Sequence, residues 1–467
     1  MTTIILCVIL IGFLFIATES FHHINKSAVA MFIGVLCWVL YIGYGTDYVL
    51  KLHGSEFSSF LESNVDLKVH AAESYIAQNI FSRYIIEAVQ IIFYLLSTMS
   101  IIEVLSNNGC FDFIKKILWT RSTRKFFWLL CSITFLLSMN WDNLTTVCLM
   151  LGVTRVLVKE EKLRWLFGSA IVITANAAGA LTVTGESTTM LLWIKSLVAP
   201  VDLVMKLVIP VLVALLVILL LISKKLPRKI MLQNSIPTYR GDDDILKSWQ
   251  RYIMMFVGFS GLWFIPLFHK VTLLPSFVGA LCILALLWIL HELFNSSLLS
   301  SDRMIRSYKP LALQYDTLQN ILFFLGLFMA LSAVVETGVL KPLFVNMLDL
   351  FSNIYCINVV FGLLSAFFGN VCTMLAGISI FHQNAVGVDS MILNDIAPYG
   401  DFWTLLSYTT ALGASMLTIG SFSGFSLMKM EGLTFAWYLK HITFKVLAGW
   451  IAGLLIFAII EYGFWMS

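Results

Sequence analysis

The stretch Ser138-Met-Asn-Trp-Asp-Asn-Leu-Thr-Thr146 places an acid, Asp142, between two apolar runs at 126–139 and 144–158. Each run is about 15 residues long, whereas a helix needs about 20 apolar residues to cross a bilayer. Two short helices that turn back at a polar tip fit this pattern better than two crossings. Such a tip is tolerated only where protein or water surrounds it. The stretch therefore predicts a re-entrant hairpin at about 126–158, with Asp142 at its tip.

The second half of the chain repeats this pattern without the acid. The runs 353–368 and 371–381 meet at Gly369-Asn370, which predicts a second hairpin at about 353–383.

The composition is that of a membrane protein. The 467 residues are 59% hydrophobic and 12% charged, with a mean hydropathy of +0.89, whereas a soluble domain has about 25% charged residues. The net charge of +3 is too small to indicate a nucleic-acid partner. The eight cysteines show no C-x-x-C spacing, so we expect no metal centre and no cofactor.

Apolar runs of about 20 residues predict ten transmembrane helices in two sets of five. Each set has its hairpin between the third and fourth helices. The predicted helices are 3–18, 27–48, 84–106, 164–193 and 203–222, then 251–268, 272–293, 318–340, 401–428 and 442–464. No basic segment precedes the first run and no small-residue cleavage site follows it, so we expect a membrane helix there rather than a signal peptide. The segment 49–83 fits no element, and an outer amphipathic stretch or a dimer contact both stay open.

The polar segment 223–250 predicts a cytoplasmic linker between two units, 1–222 and 251–467. Positions recur between the units at a spacing close to 228: Gly109 and Gly338, Asn143 and Asn370, Gly185 and Gly413. Five crossings per unit is an odd number, so the second unit would be inverted. With both termini outside, 23 of the 30 Lys and Arg residues fall on the inner side, as the positive-inside rule requires. The predicted fold is all-α and polytopic, with two inverted repeats whose broken helices meet at the midplane, as in secondary transporters.

The fourth helix of each set is interrupted by small and hydroxylated residues. Thr184-Gly-Glu-Ser-Thr-Thr189 places a second acid, Glu186, in one of them, and Tyr408-Thr-Thr-Ala-Leu-Gly-Ala-Ser415 interrupts the other. A broken helix frees carbonyl oxygens for a hard cation. A carboxylate near the bilayer centre costs about 2.5–3.5 kcal/mol, which favours a functional role for Asp142 and Glu186. Each could hold a cation or a proton but not both, which is the minimum chemistry of exchange.

Simpler explanations stay open for some of these residues. Hydroxyl groups in membrane helices often form only interhelical hydrogen bonds. Glu103 lies at the end of a predicted helix, where it could face water or relay protons.

Several motifs resemble the NhaD-type sodium/proton antiporters of the ion transporter superfamily. They are Asp142-Asn-Leu-Thr-Thr146, Gly185-Glu-Ser-Thr-Thr-Met-Leu-Leu-Trp193, Ile321-Leu-Phe-Phe-Leu-Gly-Leu-Phe-Met329 and Gly413-Ala-Ser-Met-Leu-Thr-Ile-Gly-Ser421. The resemblance runs from about residue 84 to the C-terminus. It implies exchange of Na⁺, and often Li⁺, for H⁺ across a bacterial inner membrane. It also implies a homodimer in which a mobile transport region moves like an elevator against a scaffold.

The resemblance also implies a cation site built from both halves. Asp142, Asn143, Glu186 and Asn370 would be Na⁺ ligands. The further candidates are Thr145, Thr146, Asn176, Thr188 and Thr189 in the first half, and Ser365, Thr373, Ser407, Thr410 and Ser415 in the second. Two positions depart from the family pattern: Gly369 stands where an acid is usual, and Glu186 stands where Asp is usual.

Two other functions stay open. A Na⁺-coupled carrier of small carboxylates would have the same fold, because helix N-termini at the tips could bind an anion. Asp142 would repel that anion at the first tip, whereas Gly369 would suit it at the second. An intramembrane enzyme would need a catalytic pair or a metal set at membrane depth. The eight histidines fall near helix ends or in loops, so we expect no enzyme.

Overall fold

The computed structural model describes residues 2–19, 24–63, 70–230, 232, 246–295, 311–351, 353–381 and 393–465. These residues form helices and no β-sheet, apart from two isolated bridges between 122 and 229 and between 158 and 232. Half of the predicted linker 223–250 lies outside the described residues, as does the end of the second predicted hairpin beyond 381.

The helices of the first half begin with a pair and end with a long apolar helix. They are α1 (Thr2–Ala17), α2 (Lys26–Tyr44), α3 (Thr46–Leu52), α4 (Gly54–Ser63), α5 (Ala71–Tyr75), α6 (Ser82–Asn107), α7 (Asp112–Ile117), α8 (Thr123–Ser138), α9 (Asn143–Leu157), α10 (Glu161–Gly179), α11 (Ser187–Ile194) and α12 (Pro200–Ser223). A π-helical turn, Ile76–Phe81, joins α5 to α6.

The helices of the second half follow the same order. They are α13 (Ser248–Thr272), α14 (Ser276–Asn295), α15 (Leu311–Glu336), α16 (Leu340–Leu350), α17 (Ile354–Phe368), α18 (Asn370–Phe381), α19 (Leu393–Ile396), α20 (Asp401–Ala414), α21 (Phe422–Glu431), α22 (Phe435–Tyr438) and α23 (Phe444–Trp465). A π-helical turn, Leu439–Thr443, joins α22 to α23.

Six described helical segments are long and apolar enough to cross a membrane: Lys26–Tyr44, Ala71–Ser106, Pro200–Ser223, Ser248–Thr272, Ser276–Phe294 and Phe435–Glu461. A seventh forms if α15 and α16, which meet at a bend of 87°, count as one span. The chain is therefore a polytopic, all-helical membrane protein.

The packing contacts come in matched sets across the two halves. Helix α2 packs on α15, and α14 packs on α6. Helix α8 packs on α10 as α17 packs on α20, and α9 contacts α21 as α18 contacts α11. Helices α12 and α23 pack on each other. The long helices α6 and α15 both end at a glycine with positive φ, Gly109 (φ 69°) and Gly338 (φ 68°).

The two tips have different backbones. Asp142 caps the N-terminus of α9 with φ −47° and ψ 133°. Gly369 precedes α18 with φ 91° and ψ 155°, a backbone conformation that residues other than glycine essentially never adopt.

The two broken helices are interrupted at equivalent places. Helix α10 stops at Gly179 and α11 starts after Glu186, whereas α20 stops at Ala414 and α21 starts after Ser421. By this order of elements, Gly185-Glu186 in the first half corresponds to Gly420-Ser421 in the second half. The spacing-based pairing of Gly185 with Gly413 is wrong at this point, because Gly413 lies inside α20.

The described parts of the segment 49–83, residues 49–63 and 70–83, form short helices, and His53 among them contacts the end of α15. The Nε2 atom of His53 lies 2.8 Å from Oε2 of Glu336, and the Tyr84 hydroxyl donates to Oε1 of Glu336 at 2.7 Å. The segment is thereby fixed to a helix of the second half.

The close approach of Gly185, in the first broken helix, to the backbone of Ser138 leads to a prediction about stability. A Cβ at position 185 would lie 2.6 Å from the Ser138 carbonyl oxygen, whereas a Cβ at Gly152 on α9 would have nothing within 4 Å. We expect Gly185→Ala to destabilise the purified protein by about 1–3 kcal/mol, as overpacking does. The matched variant Gly152→Ala should keep or raise stability, because alanine is the better helix former. Thermal unfolding in detergent measures both, and equal melting temperatures for the two variants would contradict this packing.

Candidate cation-binding site

Five of the predicted residues lie in one buried hydrogen-bond network that joins the two halves. The Nδ2 of Asn143 donates to Oε1 of Glu186 at 3.1 Å and to Oδ1 of Asn176 at 3.0 Å. The Nδ2 of Asn370 also donates to Oε1 of Glu186. The Nδ2 of Asn176 donates to Oγ of Ser415 at 2.9 Å. The network therefore connects the tip and break of the first half to the tip and break of the second.

Glu186 lies at the centre of this network and is only 2% exposed. Its Oε1 receives two amide N–H groups, but its Oε2 accepts no hydrogen bond from any residue in the described ranges. The Thr188 side chain lies beside the carboxylate. A buried oxygen without a partner costs about 1–3 kcal/mol, and more when it carries charge. A cation or a proton at this oxygen would remove that cost.

Asp142 has a capping role as well as a place at the site. Its Oδ2 accepts from the backbone N–H of Leu144 at 3.1 Å and of Thr145 at 3.4 Å, which caps α9. It also lies close enough to Glu186 for the two negative charges to repel each other. A group that binds between them or protonates one of them relieves this repulsion.

A cavity of about 30 Å³ opens on the Asp142 side of the network. Its polar wall consists of Asp142, Asn143, Ser187 and Asn370, and its apolar wall includes Leu95, Met99, Ile321, Phe324 and Phe422. A water molecule needs about 10–15 Å³ measured in this way. The cavity therefore has room for a small ion with one or two waters and is too small for a tricarboxylate.

The other candidate hydroxyls bind to backbone carbonyls around the breaks and tips. Each of these side chains donates to one or two such oxygens: Thr189 to Thr182 and Glu186, Ser365 to Thr410, Thr373 to Gly369, Ser407 to Ala180, and Thr410 to Leu406 and Ser407. They hold the interrupted backbone in shape. The Thr146 hydroxyl is buried and has no hydrogen-bond partner among the residues that the structure describes.

Glu103 is not in the cavity wall. It is half-buried on α6, one turn beyond Met99, and so shares a helix face with Leu95 and Met99. A relay from Glu103 to the site stays a prediction.

Sequence reasoning missed Ser187, which lines the cavity, and Lys26. The predicted topology placed Lys26 in the inner loop between the first two helices. In the structure it is only 9% exposed, at the start of α2. A cation directly before an apolar run was the only signal in the sequence.

The sequence profile of the citrate transporter family, CitMHS, matches residues 13–399. The chain belongs to this family. It is 29% identical over 450 residues to "Sodium/proton antiporter 2" of Arabidopsis thaliana, with 95% of this chain and 96% of the relative covered. It is 30% identical over 452 residues to "Sodium/proton antiporter 1" of the same plant, with 95% and 70% covered.

A bacterial relative completes the comparison. The chain is 24% identical over 484 residues to "Na(+)/H(+) antiporter NhaD" of Vibrio cholerae, with 98% of this chain and 91% of the relative covered. The resemblance to NhaD-type antiporters is confirmed. The CitMHS family is a family of transporters, so the chain is a transporter and not an enzyme. The antiporter names indicate no cofactor, and no group of three potential metal ligands occurs within the described ranges.

The free oxygen of Glu186 makes a binding prediction. A ligand that binds only the folded state at 100 times its dissociation constant stabilises that state by about 2.7 kcal/mol. We expect Na⁺ to raise the melting temperature of the purified protein and Glu186→Gln to remove this increase. The control is Glu160→Gln, because Glu160 is an exposed acid at the start of α10. An undiminished Na⁺ effect in Glu186→Gln would show that the cation binds elsewhere.

Proposed function

We propose that the chain is a sodium/proton antiporter in which Asp142 and Glu186 carry Na⁺ and H⁺ in turn. The observation that carries this proposal is the buried Glu186 oxygen without a hydrogen-bond partner, next to a second carboxylate. The names of the plant and bacterial relatives support the same exchange. Li⁺ would share the site, since carboxylate and amide oxygens are ligands for hard cations in general.

Competition for the two carboxylates couples the ions. With both acids ionised, their repulsion favours entry of a cation, which Asn143 and Asn370 help to bind through their amide oxygens after a small reorientation. Protonation removes the negative charge and releases the cation. Moving one Na⁺ outward against 100 mV costs about 2.3 kcal/mol, which the proton gradient must supply.

The proposed membrane architecture is a pair of inverted repeats, 1–222 and 251–467, joined by the linker 223–250. The matched helix contacts across the halves support it, as does the shared order of hairpin, broken helix and final helix. In this arrangement the two hairpins are re-entrant, ten segments cross, and both termini lie outside a bacterial inner membrane.

The transport region of this proposal consists of the hairpins and broken helices, α8–α11 and α17–α21. The cavity lies between this region and the long helices α6 and α15, which contribute Leu95, Met99, Ile321 and Phe324 to its wall. The cavity wall on that side is apolar, which supports an elevator movement. The contacts of Lys195 with Glu87 and of Trp263 with Asn140 cross the same boundary and would open during that movement. A homodimer that holds the scaffold in place is part of the proposal through the resemblance to NhaD-type antiporters.

A Na⁺-coupled carboxylate carrier is the second candidate, because the matching family is described as citrate transporters. The carboxylate of Asp142 in the cavity wall, the buried carboxylate of Glu186 beside it and the cavity volume of about 30 Å³ weigh against it. Transport assays in membrane vesicles can distinguish the two functions.

The function can be tested in inside-out vesicles energised by respiration, from a host that lacks its own sodium/proton antiporters. We expect NaCl or LiCl to collapse the pH gradient, and expect Asp142→Asn and Glu186→Gln to abolish the response because each removes one ion carrier. Glu160→Gln is the control for expression and insertion. No response to Na⁺, Li⁺ or K⁺ at any pH, together with Na⁺-dependent citrate uptake, would overturn the proposal in favour of the anion carrier.

Proton competition predicts how Na⁺ binding changes with pH. For each proton that Na⁺ displaces, the apparent dissociation constant should rise up to tenfold per unit fall in pH, by linkage. Isotherms of radioactive Na⁺ binding to purified protein over a pH series give this slope. An apparent affinity that does not change with pH would mean that proton and cation use separate sites.

A further inference from the structure

Lys26 is a buried cation that the proposed exchange does not use. Its Nζ lies 3.9 Å from the ring centre of Phe422, 4.9 Å from that of Phe425 and 5.7 Å from that of Phe323. The nearest acid is Glu19, whose Oε2 is 4.0 Å from Nζ and whose Oε1 accepts from the Lys26 backbone N–H at 3.3 Å. An ammonium over aromatic faces is attracted electrostatically by the electron-rich ring faces.

The position of Lys26 is well inside the helix bundle. The neighbouring Ser27 hydroxyl donates to the carbonyl of Gln319 on α15 at 2.7 Å. Helix α15 starts at Leu311, so about 12 Å of helix, at 1.5 Å per residue, extends beyond this level. Lys26 is the first residue of a candidate membrane span and is buried in the protein there, and a buried charge is costly unless it is paired.

Lys26 lines a second cavity, of about 20 Å³, next to the first. Its wall contains Gly369-Asn370 and Gly420-Ser421, the second-half counterparts of Asp142-Asn143 and Gly185-Glu186. Asn370, Val371 and Phe422 line both cavities. The two cavities are therefore neighbours that occupy equivalent places in the two halves.

The charged residues of the two cavities differ: the first has an acid without a basic partner in its wall, whereas the second has one basic residue beside one acid. The first has Asp142 in its wall, and Glu186 is buried directly behind it, bonded to the wall residues Asn143 and Asn370. At the corresponding places the second has Gly369 and Ser421, and its lining contains one cation, Lys26, beside one acid, Glu19. The first cavity needs a cation from solution to balance its charge, whereas the second is balanced by its own side chains.

We infer that the Lys26 ammonium is a built-in cation of the second cavity, where it takes the place of a transported ion. Each chain then binds one exchangeable cation, at Asp142 and Glu186. This inference rests on the proposed function, because it assumes that the first cavity binds Na⁺. The ammonium contacts the ring of Phe422, which borders both cavities.

The test is the number of Na⁺ ions bound per chain, measured by equilibrium dialysis of purified protein against radioactive Na⁺ near neutral pH. The wild type should bind one. Lys26→Met removes the charge, keeps an unbranched apolar side chain among the rings and leaves the Glu19 carboxylate without its cation. This variant should bind two, and its Na⁺ activation of transport should change from a Hill coefficient near 1 towards 2.

Two matched variants isolate the cause. Lys26→Arg keeps a cation in the cavity and should bind one Na⁺. Lys26→Met combined with Glu19→Gln removes both charges and should return the count from two to one. Size-exclusion profiles and melting temperatures show that each variant is folded.

The outcomes separate the two proposals. One Na⁺ in both the wild type and folded Lys26→Met would overturn the role of Lys26 and leave the antiporter function intact. Two Na⁺ in the wild type would also overturn it, and that measurement needs no variant to fold. No Na⁺ bound to the wild type would overturn the proposed function and this inference with it.

Discussion

The burial of one carboxylate governs the rest of this structure. Glu186 is almost fully buried, so its oxygens need donors from the protein, and one of them, Oε1, receives the amides of Asn143 and Asn370. These two amides lie at the tips of different halves, each at the start of a short helix. The two halves thus supply one donor each to the same oxygen, and this carboxylate links them at the centre of the site.

The same constraint explains why the backbone is interrupted nearby. Gly185 and Gly420 approach neighbouring carbonyl oxygens so closely that a Cβ would lie 2.6 Å and 2.5 Å from them. These contacts let the broken helices reach the tips, and the hydroxyls of Thr189, Ser365 and Ser407 bind the carbonyls that the breaks leave open. Polar residues that resemble ligands in the sequence thus divide into two groups, those that face the carboxylates and those that support the backbone.

Much of the site could be predicted from the sequence, because an acid in an apolar run is costly and therefore conspicuous. Asp142, Glu186 and the asparagines around them were found in this way, and the short helices that meet at 139–142 and at Gly369 follow the lengths of the apolar runs. Constant spacing failed at the second break, where Gly420 rather than Gly413 takes the place of Gly185. Lys26 was missed because its importance depends on Phe422 and Phe425, almost 400 positions away in the sequence.

The backbone at Gly369 limits which residues the second tip can hold. With φ at 91° and ψ at 155°, any residue with a side chain would be strained there. A carboxylate at this position would also add a negative charge to a cavity whose wall already holds Lys26 beside Glu19. An acid at the second tip therefore requires a changed backbone and a changed charge balance of the cavity together.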